Sequence, residues 1–497
     1  MTQRHPTVVL VRPHPGSLAK VCGVRLPLAL LRLAGMLVPD FRVVIVDIAQ
    51  EPDWRGMLRH ELQSSNPIVV GVGTMTGPQL AGALEASRIC RAVAPEVKVV
   101  WGGVHPTLFP EATAAEPCVD AVVVGEGERT FQELVRAIAG GDCWDDIAGL
   151  AFERDGAVVR TPQRSFMDMD ELPPLPLHLV DVSRYLFSDF GVDGLIELET
   201  SRGCPFACSY CYNVSYHRRR WRAQSPDRVL EDLARYKRDR GIQGVGLVDD
   251  EFFIDADRAH AIIAGLGELG LRPLFQGLRV DTLAGLPAAT LELLDRCGPT
   301  SVQIGVESGA QRILDSVDKR ITVDQVVQQN QRLARYRGLR PYYNFMAGFP
   351  GETVEDLLAT VALASRLIHD NPRARVSPLH VLTPYPGSAL YDQAIAQGFV
   401  PPVDAAGWAA FDFHSSRPPW VSDELDDLAR RVTVASLFVD DKIRARTQSR
   451  AAWLLARLYR PIARRRYDRQ AFRFMPERHL FEPLMTWQTR RDAKKVP

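Results

Sequence analysis

The segment Glu199–Asn213 reads ETSRGCPFACSYCYN and decides the fold of the second half of the chain. It begins within the strand-like run LIELET, which ends at Thr200, and contains a Cys-x-x-x-Cys-x-x-Cys spacing formed by Cys204, Cys208 and Cys211. Close cysteine spacing suits soft thiolate ligation of a metal centre. Four thiolates complete an ordinary [4Fe-4S] cluster, whereas this run offers three and no fourth cysteine follows nearby. One iron of such a cluster would therefore be left open.

A zinc site and a fortuitous grouping of cysteines are the alternatives for this loop. Structural zinc sites complete four ligands from cysteine and histidine, and no matching histidine pair accompanies these cysteines. The position directly after a barrel-type strand favours the iron–sulfur interpretation.

With its strand, this loop resembles that of the radical S-adenosylmethionine (SAM) superfamily. The resemblance implies that the open iron takes the amino and carboxylate groups of SAM, and that Tyr210 lies against the adenine. It also implies that a polar motif after the second barrel strand, here Asp249, Asp250 and Glu251, holds the methionyl amino group. Glu307 in GVESG follows the fourth strand and matches a position often used for the ribose. Taken singly, each acid could instead cap a helix or be solvated.

The chain around the cysteine loop has the rhythm of a parallel α/β barrel. Strand-like runs separated by helical candidates extend over 191–400; they are LIELET, GVGLVDDEFF, PLFQGLRVD, SVQIGVESG, YYNFMAGFP and VSPLHVLTPYP. Six strand–helix units predict a partial (β/α)6 barrel, with its reactive face at the carboxyl ends of the strands.

The first 140 residues predict a separate doubly wound, Rossmann-like α/β domain. Short β-branched runs alternate there with amphipathic stretches; the runs are TVVLVRP, RVVIVD, PIVVGVG, VKVVWGG and DAVVVGEGE. Residues 141–190 predict a linker, because ELPPLPL at Glu171–Leu177 places three prolines where neither a helix nor a central strand tolerates them.

A doubly wound domain ahead of the barrel resembles the cobalamin (B12)-binding domain of one branch of the superfamily. GGVHPTLFPEA at Gly102–Ala112 and VVVGEGERTFQEL at Val122–Leu134 carry the resemblance, with weaker support from GVGTMTG at Gly71–Gly77. Glycines at strand ends let a flat macrocycle approach the backbone. The resemblance implies cofactor contacts from Thr74, Met75, Gly102, Gly103, His105, Gly125 and Glu126.

One missing motif qualifies this cofactor assignment, which also has two alternatives. The Asp-x-His-x-x-Gly motif that ligates cobalt in many cobalamin proteins is absent, so His105 is expected in the turn or against the corrin rather than on cobalt. An α/β domain with tight turns and no ligand is the alternative. A nicotinamide site is disfavoured because no GxGxxG follows the first strand.

Residues 401–497 predict a small, mainly helical region that covers the substrate. Four aromatic side chains follow the barrel; they are Trp408, Phe411, Phe413 and Trp420. Their alternative role is packing. Further on, arginines interleave with apolar residues between Trp453 and Arg473. A solvated basic helix is the ordinary interpretation, and peripheral contact with an anionic membrane surface is the more specific alternative.

Composition limits the remaining possibilities. Lys plus Arg equals Asp plus Glu at 60 each, so no overall basic field attracts nucleic acid. The N-terminus lacks signal-peptide features and no apolar segment is long enough to span a membrane, so a cytoplasmic protein is expected. The other five cysteines are scattered and are expected to be reduced.

The resemblance implies an enzyme that uses a [4Fe-4S] cluster, SAM and cobalamin, with a reductant such as flavodoxin or ferredoxin. The leading hypothesis is methylation of an unactivated carbon, or phosphorus, in a natural product or lipid through a 5′-deoxyadenosyl radical and methylcobalamin. The first alternative is cyclisation or rearrangement without methyl transfer. The second is a non-catalytic cobalamin-binding sensor, which would not need an open-iron cluster.

Overall fold

The structure is a computed structural model that describes residues 5–16, 23–189, 192–411, 418–442 and 450–478. These residues form two compact units. The first unit contains the described residues up to Tyr185 together with 400–411, and the second contains the remainder. None of the described helices is long and apolar enough to cross a membrane.

The first unit is built on a seven-stranded sheet in the order β2-β1-β3-β4-β5-β6-β7. Its strands are β1 (Thr7–Arg12), β2 (Arg42–Asp47), β3 (Val69–Gly73), β4 (Lys98–Gly102), β5 (Ala121–Val123), β6 (Leu150–Arg154) and β7 (Ala157–Arg160). Its helices are α1 (Leu28–Leu37), α2 (Trp54–Ser64), α3 (Gln79–Val93), α4 (Val104–Leu108), α5 (Pro110–Ala114), α6 (Gly127–Gly140) and the short helix Ala405–Ala409.

The parallel part of this sheet confirms the predicted doubly wound domain. Strands β1 to β5 are parallel in the order 2-1-3-4-5, which places a topological switch point between β1 and β3. The central strand β1 is buried from Val8 to Val11, so it reads as a continuous apolar run rather than an alternating one. Ligands of such sheets bind beyond the carboxyl ends of the strands.

Part of the segment predicted as a linker pairs with this sheet. Strands β6 and β7 form an antiparallel hairpin that adds to the edge at β5. Further along, the Tyr185 hydroxyl donates a 2.9 Å hydrogen bond to the buried carboxylate of Asp47. The proline run lies between these two attachments. The same stretch contains three short 3-10 turns, at Met169–Glu171, Leu177–Leu179 and Val182–Tyr185.

The second unit contains a curled half-barrel sheet in the order β16-β15-β14-β13-β12-β9-β8, with β17 paired to β15. Its strands are β8 (Phe187–Asp189), β9 (Val192–Leu198), β12 (Gly244–Leu247), β13 (Arg272–Arg279), β14 (Thr300–Glu307), β15 (Leu339–Ala347), β16 (Arg375–Val376) and β17 (His380–Val381). Two further strands, β10 (Ser201–Arg202) and β11 (Arg222–Ala223), form a separate small antiparallel pair. All pairings from β9 to β17 in the main sheet are parallel, which confirms the predicted partial barrel.

Helices alternate with these strands as expected for βα units. They are α7 (Asn213–Tyr216), α8 (Pro226–Arg240), α9 (Ala256–Glu268), α10 (Val280–Gly285), α11 (Ala288–Arg296), α12 (Gln311–Ser316), α13 (Val323–Leu333), α14 (Val354–Asp370) and α15 (Ala389–Ala396). Two later helices, α16 (Asp423–Ser436) and α17 (Arg450–Arg469), pack on α14 and on each other. The chain order therefore brings the loops after β9, β12, β13 and β14 to one edge of the sheet.

Candidate functional site

The cysteine loop is closed at its base by the β10–β11 pair. Gly203 opens the loop with φ +83°, and a Cβ atom there would lie 2.2 Å from the carbonyl oxygen of Arg220. Only glycine combines this left-handed backbone with so close an approach. Inside the loop, the Cys211 amide donates to the Cys208 carbonyl at 3.1 Å, and the Ser209 amide donates to the Val317 carbonyl at 3.1 Å. The loop is thus tied to itself and to the barrel.

The three thiols differ in exposure. Cys208 is buried, and Cys204 and Cys211 are half-buried. Burial raises the pKa of Cys204 to about 11 and that of Cys211 to about 12. Thiolates are the ligands of iron, so metal binding at these positions has to release their protons.

Two carboxylates after β12 hold the start of the loop. Asp249 accepts hydrogen bonds from the Thr200 amide, the Thr200 hydroxyl and the Ser201 hydroxyl at 2.7, 2.7 and 2.6 Å. Asp250 accepts from the Gly203 amide at 2.8 Å. Burial raises the pKa of Asp249 to about 6, against the opposing effect of these hydrogen bonds. Both oxygens of Asp249 are engaged by the protein.

A glycine in β13 allows the acidic loop to lie across the neighbouring strand. Gly277 has φ +65°, and a Cβ atom there would be 2.3 Å from the Asp250 carbonyl oxygen. The β13–β14 register shifts between Phe275 and Leu278, so the glycine lies at an irregularity of the ladder.

Glu251, the third acid, has a free oxygen. Its side chain is 1% exposed, and Oε1 has no hydrogen-bond partner among the described residues. Burial raises the pKa of Glu251 to about 8, and the charges of Arg279 and Lys319 oppose that rise. A buried carboxylate oxygen without a partner is costly unless a ligand satisfies it. Among the three predicted acids, Glu251 is the one with a buried oxygen that no described residue satisfies.

Tyr210 and Glu307, which the resemblance assigned to adenine and ribose, lie together. The Tyr210 hydroxyl donates to Glu307 Oε1 at 3.3 Å, and the buried Lys319 ammonium lies 2.8 Å from the same oxygen. Glu307 adopts φ +72°, an uncommon backbone for a residue with a side chain. A Cβ atom at Gly305 would come within 2.6 Å of the Glu307 carboxylate, so that glycine makes room for the ion pair.

Arg279, at the end of β13, contacts the cysteine loop directly. Its Nη1 donates to Cys208 Sγ at 3.3 Å, and its guanidinium carbon lies 3.7 Å from the centroid of the Phe206 ring. Asp281 accepts two hydrogen bonds from the same guanidinium, both at 2.9 Å. Sequence reasoning missed Arg279 and Lys319, and the position of Arg279 at a strand end was the one signal available for it.

The donors of this loop fit an iron–sulfur cluster better than a single metal ion. Among the described residues, no group of three His, Cys, Asp or Glu side chains is arranged to hold one ion. A cluster binds each thiolate at a different iron, so its ligands need not converge on one point. Three thiols, a free buried carboxylate oxygen and an aromatic side chain fit a cluster with an open iron and an amino-acid-bearing nucleoside.

In the first unit, the predicted cofactor residues lie at the carboxyl ends of β3, β4 and β5. Thr74 donates its amide to the Gly102 carbonyl at 2.8 Å, and a Cβ atom at Gly103 would lie 2.4 Å from the Thr74 carbonyl oxygen. Gly103 has φ +104°, so the close crossing of these two loops requires glycine. Met75, beside them, has 45% of its surface exposed.

Gly125 and Glu126 complete this edge. Gly125 has φ +86°, and its amide donates a 2.9 Å hydrogen bond to the Thr107 hydroxyl. A Cβ atom at Gly125 would meet nothing within 4 Å, so space is open above it. Glu126 is the N-cap residue of α6. An exposed apolar side chain beside open glycine backbone fits a flat, largely apolar ligand.

His105 is enclosed by protein. It is 2% exposed, its Nδ1 lies 3.1 Å from the Thr76 hydroxyl, and its ring packs against Phe109 and Trp408 at centroid distances of 5.2 and 6.0 Å. Burial lowers the pKa of His105 to about 4. A neutral histidine in this setting supports the turn after β4.

The four aromatic residues predicted to cover the substrate are divided between the units. Trp408 and Phe411 pack together in the first unit at a centroid distance of 5.0 Å. Trp420 belongs to the second unit, where its Nε1 donates to the Gly348 carbonyl at 2.8 Å. Phe413 lies outside the described residues.

Two sequence families match the chain. The Radical SAM superfamily matches residues 198–364, and the B12 binding domain matches residues 15–135. The first span contains the cysteine loop, the acidic residues after β12 and Glu307 at the end of β14. The second contains the predicted cofactor edge of the first sheet.

Two curated relatives cover most of the chain. An uncharacterized methyltransferase of Pyrococcus horikoshii is 30% identical over 438 residues, which is 86% of this chain and 91% of the relative. The anaerobic magnesium-protoporphyrin IX monomethyl ester cyclase of Rubrivivax gelatinosus is 27% identical over 397 residues, covering 78% of this chain and 69% of the cyclase.

A solved structure shares the fold. The radical SAM methyltransferase TsrM from Kitasatospora setae, with cobalamin and a [4Fe-4S] cluster bound, aligns with a TM-score of 0.66 and 20% identity. The alignment covers 88% of this chain and 89% of TsrM. At this identity the likeness concerns the fold.

Proposed function

Because the chain belongs to the cobalamin-dependent radical SAM enzyme family, we propose that it methylates an unactivated carbon, or phosphorus, of a natural product or lipid. The observation that carries this proposal is that one chain contains two features. The first is a three-cysteine loop, which would leave one iron of a [4Fe-4S] cluster without a protein ligand, and the second is a sheet edge of the cobalamin-binding type. When bound, the cluster and SAM supply a 5′-deoxyadenosyl radical, and cobalamin supplies the methyl group. The protein contributes binding, orientation and exclusion of water.

In this proposal the loop residues Cys204, Cys208 and Cys211 hold the cluster. Asp249 and Asp250 position the loop through their hydrogen bonds to Thr200, Ser201 and Gly203. These hydrogen bonds keep the cysteine ligands in place while their thiols lose protons and bind iron.

The SAM contacts are divided among three side chains. Glu251 Oε1, buried and without a partner among the described residues, accepts the methionyl ammonium. Tyr210 lies against the adenine, and Glu307 accepts from the ribose hydroxyls while Lys319 balances its charge. Asp249 and Asp250 support these contacts by holding Thr200, Ser201 and Gly203 at the start of the loop.

The cobalamin contacts come from the strand ends of the first sheet. Met75 and the backbone at Gly102, Gly103 and Gly125 line the open edge, with Thr74 and Glu126 at its margins. His105 supports this edge through its hydrogen bond with Thr76. It is not proposed as a cobalt ligand, because its ring is buried against Phe109 and Trp408.

The exposed face of α17 supports the proposal of peripheral contact with an anionic membrane. The helix buries Ala456, Tyr459, Ala463 and Tyr467, and it exposes four aliphatic side chains, namely Leu454, Leu455, Leu458 and Ile462. Its sequence carries seven arginines against one aspartate. An apolar stripe with cationic neighbours is the composition of helices that lie in an anionic lipid interface.

Vesicle flotation tests this membrane contact. The full chain should float with vesicles that contain anionic phospholipid and remain behind with neutral phosphatidylcholine vesicles, and Leu458→Glu should reduce flotation. Val403→Glu in the other unit is a matched control, because it places the same charge on another exposed aliphatic residue. Equal flotation by wild type and Leu458→Glu would contradict the proposal.

The reaction itself is tested by following the fate of SAM with candidate substrate, added cobalamin and a low-potential reductant such as reduced flavodoxin. Methyl transfer consumes two SAM molecules per product, so S-adenosylhomocysteine and 5′-deoxyadenosine should rise together. With methyl-deuterated SAM, the product should carry the label.

Cyclisation or rearrangement is the second candidate, favoured by the similarity to a cyclase over 78% of this chain. It would form 5′-deoxyadenosine without S-adenosylhomocysteine and without label in the product. If neither by-product formed although cluster and substrate were present, a sensing role would replace both enzymatic proposals.

A further inference from the structure

We infer that Arg279 is a positioning residue that sets the reduction potential of the cluster, acting on the sulfur of Cys208. This inference rests on the proposed assignment of Cys204, Cys208 and Cys211 as cluster ligands. It adds a role for a side chain that carries no part of SAM or cobalamin binding in the proposed function.

The contact geometry of Arg279 is specific. The residue ends β13 and is 5% exposed, and its Nη1 reaches Cys208 Sγ at 3.3 Å. Its other donors are occupied, because Nε and Nη2 both bond to Asp281 and Nη2 also donates to the Lys319 carbonyl. Of the five guanidinium N–H donors, the two that remain belong to Nη1, and Nη1 is the atom that contacts the thiol.

The surroundings hold this donor in place. The guanidinium carbon lies 3.7 Å from the centroid of the Phe206 ring, which belongs to the cysteine loop itself. Stacking on one side and a bidentate carboxylate on another fix the plane of the group. The other two thiols receive backbone rather than charged donors, from the amides of Phe206 and Asn213 respectively.

A buried cation beside a ligand sulfur favours the reduced cluster. Reduction adds one electron, taken from an external low-potential donor, and the added negative charge is stabilised by the guanidinium and its hydrogen bond. Hydrogen bonds to cluster sulfurs and local charge are among the determinants of potential in iron–sulfur proteins. Asp281 moderates the effect, since its carboxylate lies against the same cation.

The inference predicts opposite shifts for two neighbouring variants. Arg279→Gln removes the cation and should lower the midpoint potential. Asp281→Asn leaves the cation without its counter-charge and should raise it. Arg279→Lys keeps a charge without the planar fork and should fall between Arg279→Gln and the wild type.

The experiment is a redox titration of the reconstituted full-length protein, followed by the electron paramagnetic resonance signal of the reduced cluster in the absence of substrate. We expect Arg279→Gln to change the ratio of reduced to oxidised cluster at a fixed potential at least tenfold, or about 59 mV for one electron. Arg320→Gln is the matched control, because Arg320 is an exposed arginine of the adjacent loop that pairs with Asp318.

The outcomes separate this inference from the cluster assignment. Unchanged midpoints in Arg279→Gln and Asp281→Asn would overturn the inference, and so would shifts of the same sign. If Arg279→Gln fails to take up a cluster, the result for Asp281→Asn decides, and an unchanged midpoint there overturns it. Failure of the ligand assignment would look different, since a cluster would persist when all three cysteines are replaced by alanine.

Discussion

The Lys319 ammonium lies 2.8 Å from Glu307 Oε1 and 3.1 Å from the Tyr210 hydroxyl, so one buried cation joins two residues that the family resemblance assigned to different parts of SAM. Lys319 is 4% exposed and Glu307 is 8% exposed, so solvent screens this pair little. Removing one partner of a buried ion pair leaves an uncompensated charge, which costs about 3–5 kcal/mol.

Lys319→Met should therefore weaken SAM binding and lower the stability of the second unit, because Glu307 loses its buried counter-charge. The measurements are SAM affinity by equilibrium dialysis of the cluster-loaded protein and the thermal unfolding midpoint. Arg320→Gln, one position along, should change both by little, because solvent screens the exposed ion pair of Arg320 with Asp318. Unaltered SAM affinity in Lys319→Met would contradict the proposed role of the pair.

Gly203→Ala should prevent stable cluster uptake. The added methyl group would lie 2.2 Å from the Arg220 carbonyl oxygen, and the backbone there has φ +83°. The loop would have to shift, and the cysteines with it. Iron and sulfide content after anaerobic reconstitution measures the effect.

Gly241→Ala supplies the control for this prediction. Gly241 has φ +64°, but a Cβ atom there meets nothing within 4 Å, so the substitution imposes backbone strain of about 1 kcal/mol without the clash. It should retain a full cluster. Equal cluster content in the two variants would show that the close approach at Gly203 has no consequence for the ligands.

The sequence predicted those parts of the site that are local in the chain. The cysteine loop, the acids after β12 and the glycine turns each occupy a few consecutive residues at a strand end, and parallel βα topology brings strand ends to one edge. The succession of strands and helices along the chain followed from apolar runs separated by helical stretches, whereas the order of the strands within each sheet came from the structure.

Arg279 and Lys319 were not predictable in the same way. They lie 71 residues from Cys208 and 109 residues from Tyr210, and a buried basic residue has no local pattern that distinguishes it from a solvated one. The three acids after β12 illustrate the same limit, because spacing does not reveal that Asp249 spends both oxygens on the loop while Glu251 keeps one. Such distinctions depend on tertiary contacts.

Met75→Glu should reduce cobalamin affinity with little change in stability. Met75 is 45% exposed at the open edge of the first sheet, so a carboxylate there stays hydrated in the free protein but would have to be buried beneath an apolar ligand. Val403→Glu is the control, because Val403 belongs to the same unit and is 87% exposed. Retained cobalamin, measured by its visible absorbance after gel filtration, should be lower for Met75→Glu alone. Equal retention in the two variants would place cobalamin elsewhere.

His105 should make the first unit less stable as the pH falls below neutrality. Burial lowers its pKa in the folded protein to about 4, below the value of about 6.5 for an unfolded histidine. Between these values the unfolded chain binds a proton that the folded chain does not, so stability is full above about pH 6.5 and declines as the pH falls towards 4. From pH 7 to pH 5 the loss amounts to about 2 kcal/mol. Hydrogen exchange of the β3 and β4 amides, corrected for intrinsic rates, measures the opening free energy at both pH values.

His105→Phe, which preserves packing against Phe109 and Trp408, should remove this pH-dependent loss of stability, whereas His60→Gln on the exposed side of α2 should leave it in place. The same decline in His105→Phe as in the wild type would mean that another group causes it.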